Sequence, residues 1–442
     1  MNWSLPLILS LVAAGLVGAS LLFLAARDLR HSVWIIAIMA FATSITLQSE
    51  KAGNYGRTWL QPIQAVRVEM YIAASCLLLL AALMNSSSRH VRGFAPVLLI
   101  NLVIQVFAGL LDARRVATEG WARVLMNLTT STALLLILPA LLITWENFLA
   151  LMRALGAVGV LWAGCVLVQM VLDHRQMVVG NPSRFVGLLG NPQGTALYLP
   201  AQTVIVLWLV LNDTGKLRRW IWMTTLASLL LMVGWTGSRT GGLLSVIGIS
   251  AVLYSRLGRG VFLLPIVGLG LYGVAALAVS LGVQVPIDRL TSSQDTRTEA
   301  WLALWRAALE APFFGEGTSD YVENSYLLAW VIYGPLMALL VLLLVAALMI
   351  GAARAVAHRG RLVGAQRSLL DLCVGYALMY PAGAMFEWFV VARIEINILL
   401  VAIIPVIATQ LIRMSEGADD GHAAFHRDDY ALEPAYDHEP AP

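Results

Sequence analysis

Residues Ser325 to Gly351 read SYLLAWVIYGPLMALLVLLLVAALMIG, 27 positions without one charged side chain. A helix needs about 20 mostly apolar residues to cross the hydrocarbon of a bilayer. This run is long enough, and it has company. Further apolar runs cover 5–26, 32–48, 69–85, 94–111, 124–147, 154–172, 195–211, 220–237, 240–257, 261–283, 368–390 and 395–413. Backbone groups in hydrocarbon must bond inside the protein, so only helices or closed barrels span it. The sequence lacks the alternating apolar and polar segments of barrel strands, so the runs predict helices. The expected fold class is an all-α polytopic membrane protein with about 12–13 transmembrane helices.

Composition sets the same bound. The 442-residue chain is 59% hydrophobic and 12% charged, with a mean hydropathy of +0.78. A soluble domain carries about 25% charged residues. A chain this apolar takes the bilayer as its solvent. The net charge of +3 is small and dispersed, so nothing points to nucleic acid. Cys76, Cys165 and Cys373 all fall in apolar runs and show neither a disulfide framework nor a zinc spacing. Met1 to Pro6 carry no basic residue, and Leu5–Ala26 is too long for a signal-peptide core. The expectation is a first helix inserted with its N-terminus outside.

Loop charge orients the helices. Arg354, Arg359, Arg361 and Arg367 crowd 352–367 without an acid. Lys216, Arg218 and Arg219 face a single Asp213 in 212–219, and Arg256 with Arg259, and Arg89 with Arg92, mark two more basic loops. Counting spans puts all four on one side, read as cytoplasmic. The opposite side then holds 49–68, 112–123, 173–194, the turn at Arg239 and a long loop over 284–324. A membrane domain over 1–414 is followed by 415–442, acidic and rich in His, Ala and Pro, which predicts a disordered cytoplasmic tail.

The outer side carries more arginine than this rule asks for. Arg175, Arg184, Arg239, Arg289, Arg297 and Arg306 all lie there. In the long loop Asp288, Asp295, Glu299, Glu310, Glu316 and Asp320 offset them. Arg184 and Arg239 stand in short loops with no acid nearby. Gly180–Gly194 reads GNPSRFVGLLGNPQG, two Asn-Pro turns around Arg184. Such a loop either makes an ordinary interhelical turn or presents backbone donors beside a fixed guanidinium. Trp235–Leu243 reads WTGSRTGGL and sets Arg239 at the membrane surface, where it either snorkels to headgroups or binds a ligand. Two outer arginines suit a phosphate or diphosphate, whose oxygens a guanidinium grips in pairs.

In the long loop, Trp301, Leu304, Trp305, Ala308 and Leu309 recur at helical spacing. They predict an amphipathic helix lying in the interface, tryptophans toward lipid, ended by Pro312, Gly315 and Gly317. Glu323 is the last acid before the chain re-enters the membrane, as a helix cap or as a reacting group. No metal constellation, P-loop or Asp-x-Asp pair is visible.

The order of these motifs resembles the O-antigen ligase/O-antigen polymerase family of bacterial membrane glycosyltransferases. The resemblance covers about 180–350. It rests on Arg184 with Asn191–Gln193, on Ser238–Arg239, and on Arg297–Trp301 leading to Pro312–Gly317. The last motif is Glu323-Asn324-Ser325-Tyr326-Leu327 with Gly334. Glu323 stands where the family usually has a histidine thought to be the catalytic base. A carboxylate can accept the same proton if its pKa suits.

The resemblance implies a GT-C-like membrane fold in the bacterial inner membrane with its active site facing the periplasm. It implies a glycan donor linked to undecaprenyl diphosphate, no cofactor and no metal, and inverting transfer. Arg184 and Arg239 would hold the diphosphate and stabilise the charge that grows as the sugar–phosphate bond breaks. Glu323 would take the proton of the attacking hydroxyl. Arg297, Asn324, Tyr326, Asn191 and Ser238 would bind substrate, with Tyr326 stacked on a sugar. The acceptor is either a second lipid-linked repeat, in a polymerase making a surface or exopolysaccharide, or the lipid A core, in a ligase. Glu323 tilts the expectation to polymerase. Other expected partners are membrane lipid and polysaccharide assembly or export proteins. A transporter or flippase of lipid-linked sugars is the alternative of another class, and no internal repeat supports it.

Overall fold

The computed structural model describes residues 17–45, 59–85, 96–179, 184–263, 296–311, 313–319, 323–391 and 395–419. Its longer helices are α1 (Ser32–Thr43), α2 (Arg67–Met84), α3 (Pro96–Arg115), α4 (Ala117–Leu141), α5 (Trp145–Asp173), α6 (Pro192–Asn212), α7 (Lys216–Thr236), α8 (Arg239–Leu257), α9 (Thr296–Glu310), α10 (Ser325–Tyr333), α11 (Pro335–His358), α12 (Gly364–Phe386) and α13 (Ile396–Asp419). Two short strands, β1 (Val178–Val179) and β2 (Arg184–Phe185), pair antiparallel.

Among the described residues, nine helices are long and apolar enough to cross a membrane: α2 to α6, α8, and α11 to α13. The chain is therefore an all-α polytopic membrane protein. Val17–Arg27 and Leu29–Thr43 form shorter apolar helices. α7 has the length of a span but opens on Lys216, Arg218 and Arg219. Residues 264–283 of one expected span, 5–16 of another, and loop residues 284–295 lie outside the described residues.

The run at 325–351 is not one helix. It breaks at Gly334, whose φ of 89° is open to glycine and strained for other residues. A Cβ there would overlap the Phe313 carbonyl of the preceding loop. Pro335 then starts α11 at a position where its missing N–H costs nothing. So α11 spans alone, and α10 is a short shelf. Leu328 and Val331 of α10 bury against Leu304 and Ala308 of α9. That contact revises the expected lipid-facing α9. Trp305 is partly exposed against the Trp330 ring, but Trp301 turns inward onto Phe386, ring centres 6.0 Å apart. α13 stays helical to Asp419, past the Ser415 where the tail was expected to begin, and 420–442 lie outside the described residues.

Burial ranks the helices. In α6, 89% of the spanning window is buried, against 28% in α11. α6 is the axis of the bundle, with α5, α7 and α8 against it. α11 shows Leu339, Leu342 and Ile350 outward, as a lipid-facing helix does. α7 ends at left-handed Gly237, and Ser238 at once caps α8. Near the start of α8, Gly241 lies against Ala196 of α6, leaving no slack for a Cβ. The first turns of α6 and α8 therefore stand side by side.

The ends of the helices form two rims. At one, Arg256 of α8 reaches the Leu211 carbonyl of α6, Arg359 pairs with Asp371 of α12, and His358 lies by Glu416 of α13. This is the rim of the expected basic loops. The starts of α6, α8, α10 and α13 and the end of α12 belong to the other.

Candidate functional site

The second rim is assembled from turns. The β1–β2 ribbon sets Val179 opposite Arg184 and Val178 opposite Phe185. Phe185 is fully buried, stacked on Trp235 at 5.5 Å and edge-on to Trp162 at 6.3 Å. That anchor fixes its neighbour Arg184, whose Nε donates to the Thr236 carbonyl at the end of α7 (2.9 Å). Arg239 opens α8 three residues later and is exposed.

Three of the expected substrate-binding residues are helix caps. Asn191 Oδ1 accepts from Gln193 N at the start of α6 (2.8 Å). Ser238 Oγ accepts from Gly241 N at the start of α8 (3.3 Å). Asn324 Oδ1 accepts from Tyr326 N and Leu327 N at the start of α10 (3.1 and 3.2 Å). Each satisfies backbone donors that a helix start leaves open. Asn324 does so at φ 64°, the one non-glycine left-handed residue among those described. Asn324 is thus the N-cap of α10. Tyr326 is tied down too: its hydroxyl donates to the Pro381 carbonyl of α12 (3.0 Å), at odds with a ring free to stack on sugar.

The centre of the rim is a residue outside the expected set. Glu387 follows α12 as its C-cap, with a side chain only 6% exposed. Arg297 of α9 donates from Nη2 to Glu387 Oε1 (3.2 Å) and to Thr240 Oγ1 of α8 (3.1 Å). The same guanidinium lies 4.9 Å from the centre of the Phe386 ring. Ser325 Oγ donates to the Glu387 carbonyl (2.6 Å) and accepts from Phe389 N (3.2 Å), so the start of α10 holds the backbone beneath the carboxylate. Further along, Gln105 holds the Val390 carbonyl and Arg123 the Val391 carbonyl (2.8 and 2.6 Å).

Burial pushes the Glu387 carboxyl up to about 7; Arg297 and Arg184 pull it down, and the negative charge of Glu323 adds to the rise. Arg184, Arg297, Glu323 and Glu387 thus share one electrostatic neighbourhood, though they lie far apart in sequence. Asn191 caps a helix start at the same rim, and Ser238 stands in the turn between Thr236 and Thr240. Arg175 and Arg306 are exposed and outside this cluster; Arg289 and Pro312 lie outside the described residues. Among the described residues, no three His, Cys, Asp or Glu side chains gather as metal ligands would.

Chemically, the rim offers guanidinium groups for an anion, a half-buried carboxylate at Glu323, and a buried carboxylate able to hold a proton near neutral pH. A sequence signal for Glu387 did exist. It is one of two acids, with Asp371, within the apolar run 368–390, and an ionisable residue in such a run is a functional candidate by default. Arg123 was missed in the same way. It is buried, paired with Asp112 at 2.6 Å, and sits at the edge of an expected loop. The chain matches no family model and no curated protein.

Proposed function

We propose that the chain is a membrane glycosyltransferase that uses a glycan linked to undecaprenyl diphosphate at the periplasmic face of a bacterial inner membrane. The observation that carries this reading is the gathering of Arg184, Arg297, Glu323 and Glu387 at one rim of the bundle, beside the starts of α8 and α10. Arg184 and Arg239 bind the diphosphate. The acceptor hydroxyl oxygen attacks the anomeric carbon from the face opposite the diphosphate. The bond from that carbon to the phosphate oxygen breaks, and its electron pair leaves with the diphosphate, where the arginines stabilise the charge. Glu323 takes the hydroxyl proton, and the anomeric configuration inverts. Arg297 orients the donor from α9, held in place by Glu387. The acceptor is a second lipid-linked repeat, which makes the chain a polysaccharide polymerase.

The test is to incubate the purified protein with an undecaprenyl-diphosphate oligosaccharide and weigh the products. Elongation by whole repeats without lipid A supports the polymerase. Transfer only when lipid A core is supplied makes it a ligase. An unchanged glycan with either acceptor refutes the enzyme, and movement of the intact donor across a vesicle membrane would mark a transporter.

A further inference from the structure

A cavity of about 630 Å³ opens at the rim opposite the charge cluster, between α11, α12 and α13. Its walls are apolar and largely small, with Ala347 and Gly351 from α11, Ala377 from α12 and Ile404 and Ala408 from α13. Its volume falls within the range of small-molecule sites, about 300–1,000 Å³. The mouth is charged. Arg354, His358, Arg413 and Glu416 line it. His358 Nδ1 donates to the Arg354 carbonyl (2.9 Å), and its Nε2 lies 3.1 Å from Glu416 Oε1, an ion pair when the ring is protonated. Glu416 therefore faces the histidine. Arg354 and Arg413 are exposed, and among the described residues their guanidinium groups have no ion-pair or hydrogen-bond partner.

We infer that this cavity binds an anionic phospholipid, its acyl chain lying between the three helices and its phosphate between Arg354 and Arg413. Two observations converge on that occupant. The walls run from a basic rim into the spanning part of α11, so the apolar part is at hydrocarbon depth. The two unpaired guanidiniums stand where the headgroup of such a chain would emerge. Basic pockets between transmembrane helices take anionic headgroups in this manner. A zwitterionic lipid would fill the walls equally well but gain little at the mouth. The inference does not depend on the proposed transferase activity.

The test is native mass spectrometry of the full chain, released from nanodiscs holding equal amounts of phosphatidylglycerol and phosphatidylcholine. Wild type should retain phosphatidylglycerol selectively. The double variant Arg354→Gln, Arg413→Gln should lose that selectivity by roughly tenfold or more. Gly351→Leu fills the cavity from a position where a Cβ meets nothing within 4 Å, so the fold is kept while retention of the lipid falls. A thermal melt of each variant confirms folding. Equal retention of both lipids by wild type, or unchanged phosphatidylglycerol retention in both variants, overturns the inference. A dimer that disappears with the arginines would overturn it as well, since a second copy would then be the occupant.

Discussion

Asp213 and Glu387 are the same device at opposite rims. Each is the C-cap of a helix at the core of the bundle, α6 and α12, and each buries its carboxylate, with side chains 0% and 6% exposed. Their surroundings differ. Burial alone would raise Asp213, but hydrogen bonds from Arg218, Arg153 and Trp222 hold its carboxyl well below the usual range. Glu387 has one arginine at hydrogen-bond distance and a second carboxylate nearby, and its carboxyl rises to about 7. Burial is shared, so the donors decide the sign. A carboxylate saturated by donors is a tie between helices. One left short of donors, beside Arg297 and Arg184, holds a proton near neutral pH.

Substitutions can break this comparison, and the largest effect is expected at the Glu387 rim. Glu323→Gln should lower transfer by about 10²–10⁴-fold, the usual contribution of a general base. Arg184→Ala and Arg239→Ala should each lower it by about 10²–10³-fold, as loss of one charge-stabilising donor does. All three proteins should insert and purify normally, and wild-type rates in all three would sink the site assignment.

At the Asp213 rim the effect should fall on stability. Asp213→Asn should cost about 2–3 kcal/mol, below the roughly 3–5 for a fully buried pair because Arg218 is half exposed. A lower melting temperature in detergent, with turnover per folded molecule unchanged, would bear this out.

The smallest effect in magnitude separates the two carboxylates by pH. The folded-state pKa of Glu387 is raised from 4.5 to about 7. Its folded form therefore binds the proton more tightly, and its contribution to stability declines as pH climbs from 4.5 to about 7. Asp213 is depressed, so its contribution is present above its unfolded pKa and is lost as pH falls. Glu387→Gln should flatten the first slope and leave the second. Protonation of Glu387 also frees Arg297, so transfer should weaken below about pH 7 in wild type, and this limb should vanish in Glu387→Gln. A melting series carried from pH about 7 down past 3.8, and a rate profile between 4.5 and about 7, check both signs.

The membrane fold was legible because hydrocarbon leaves the backbone few options, and long apolar runs have few other uses. The break at Gly334 was not, although Gly-Pro stands in the run. Its cause is the approach of the Phe313 carbonyl, a contact between segments that periodicity does not encode. Asn191, Ser238 and Asn324 were singled out as members of the motifs that carry the family resemblance. The structure gives them a local task, capping, which leaves the same trace in sequence as binding does. Glu387 went unseen because its neighbours Phe386, Trp388 and Phe389 made the run look continuous. Its partners Arg297 and Thr240 come from helices far away in the chain.

The most direct measurement is the affinity of undecaprenyl diphosphate for the protein in nanodiscs rich in anionic phospholipid, compared across one arginine from each rim. Arg184→Ala should weaken binding by roughly tenfold or more, the worth of a charged hydrogen bond to phosphate. Arg218→Ala, at the Asp213 rim, should bind as wild type does. Equal affinity in all three proteins, or an equal loss in both variants, would contradict a diphosphate site at the Glu387 rim.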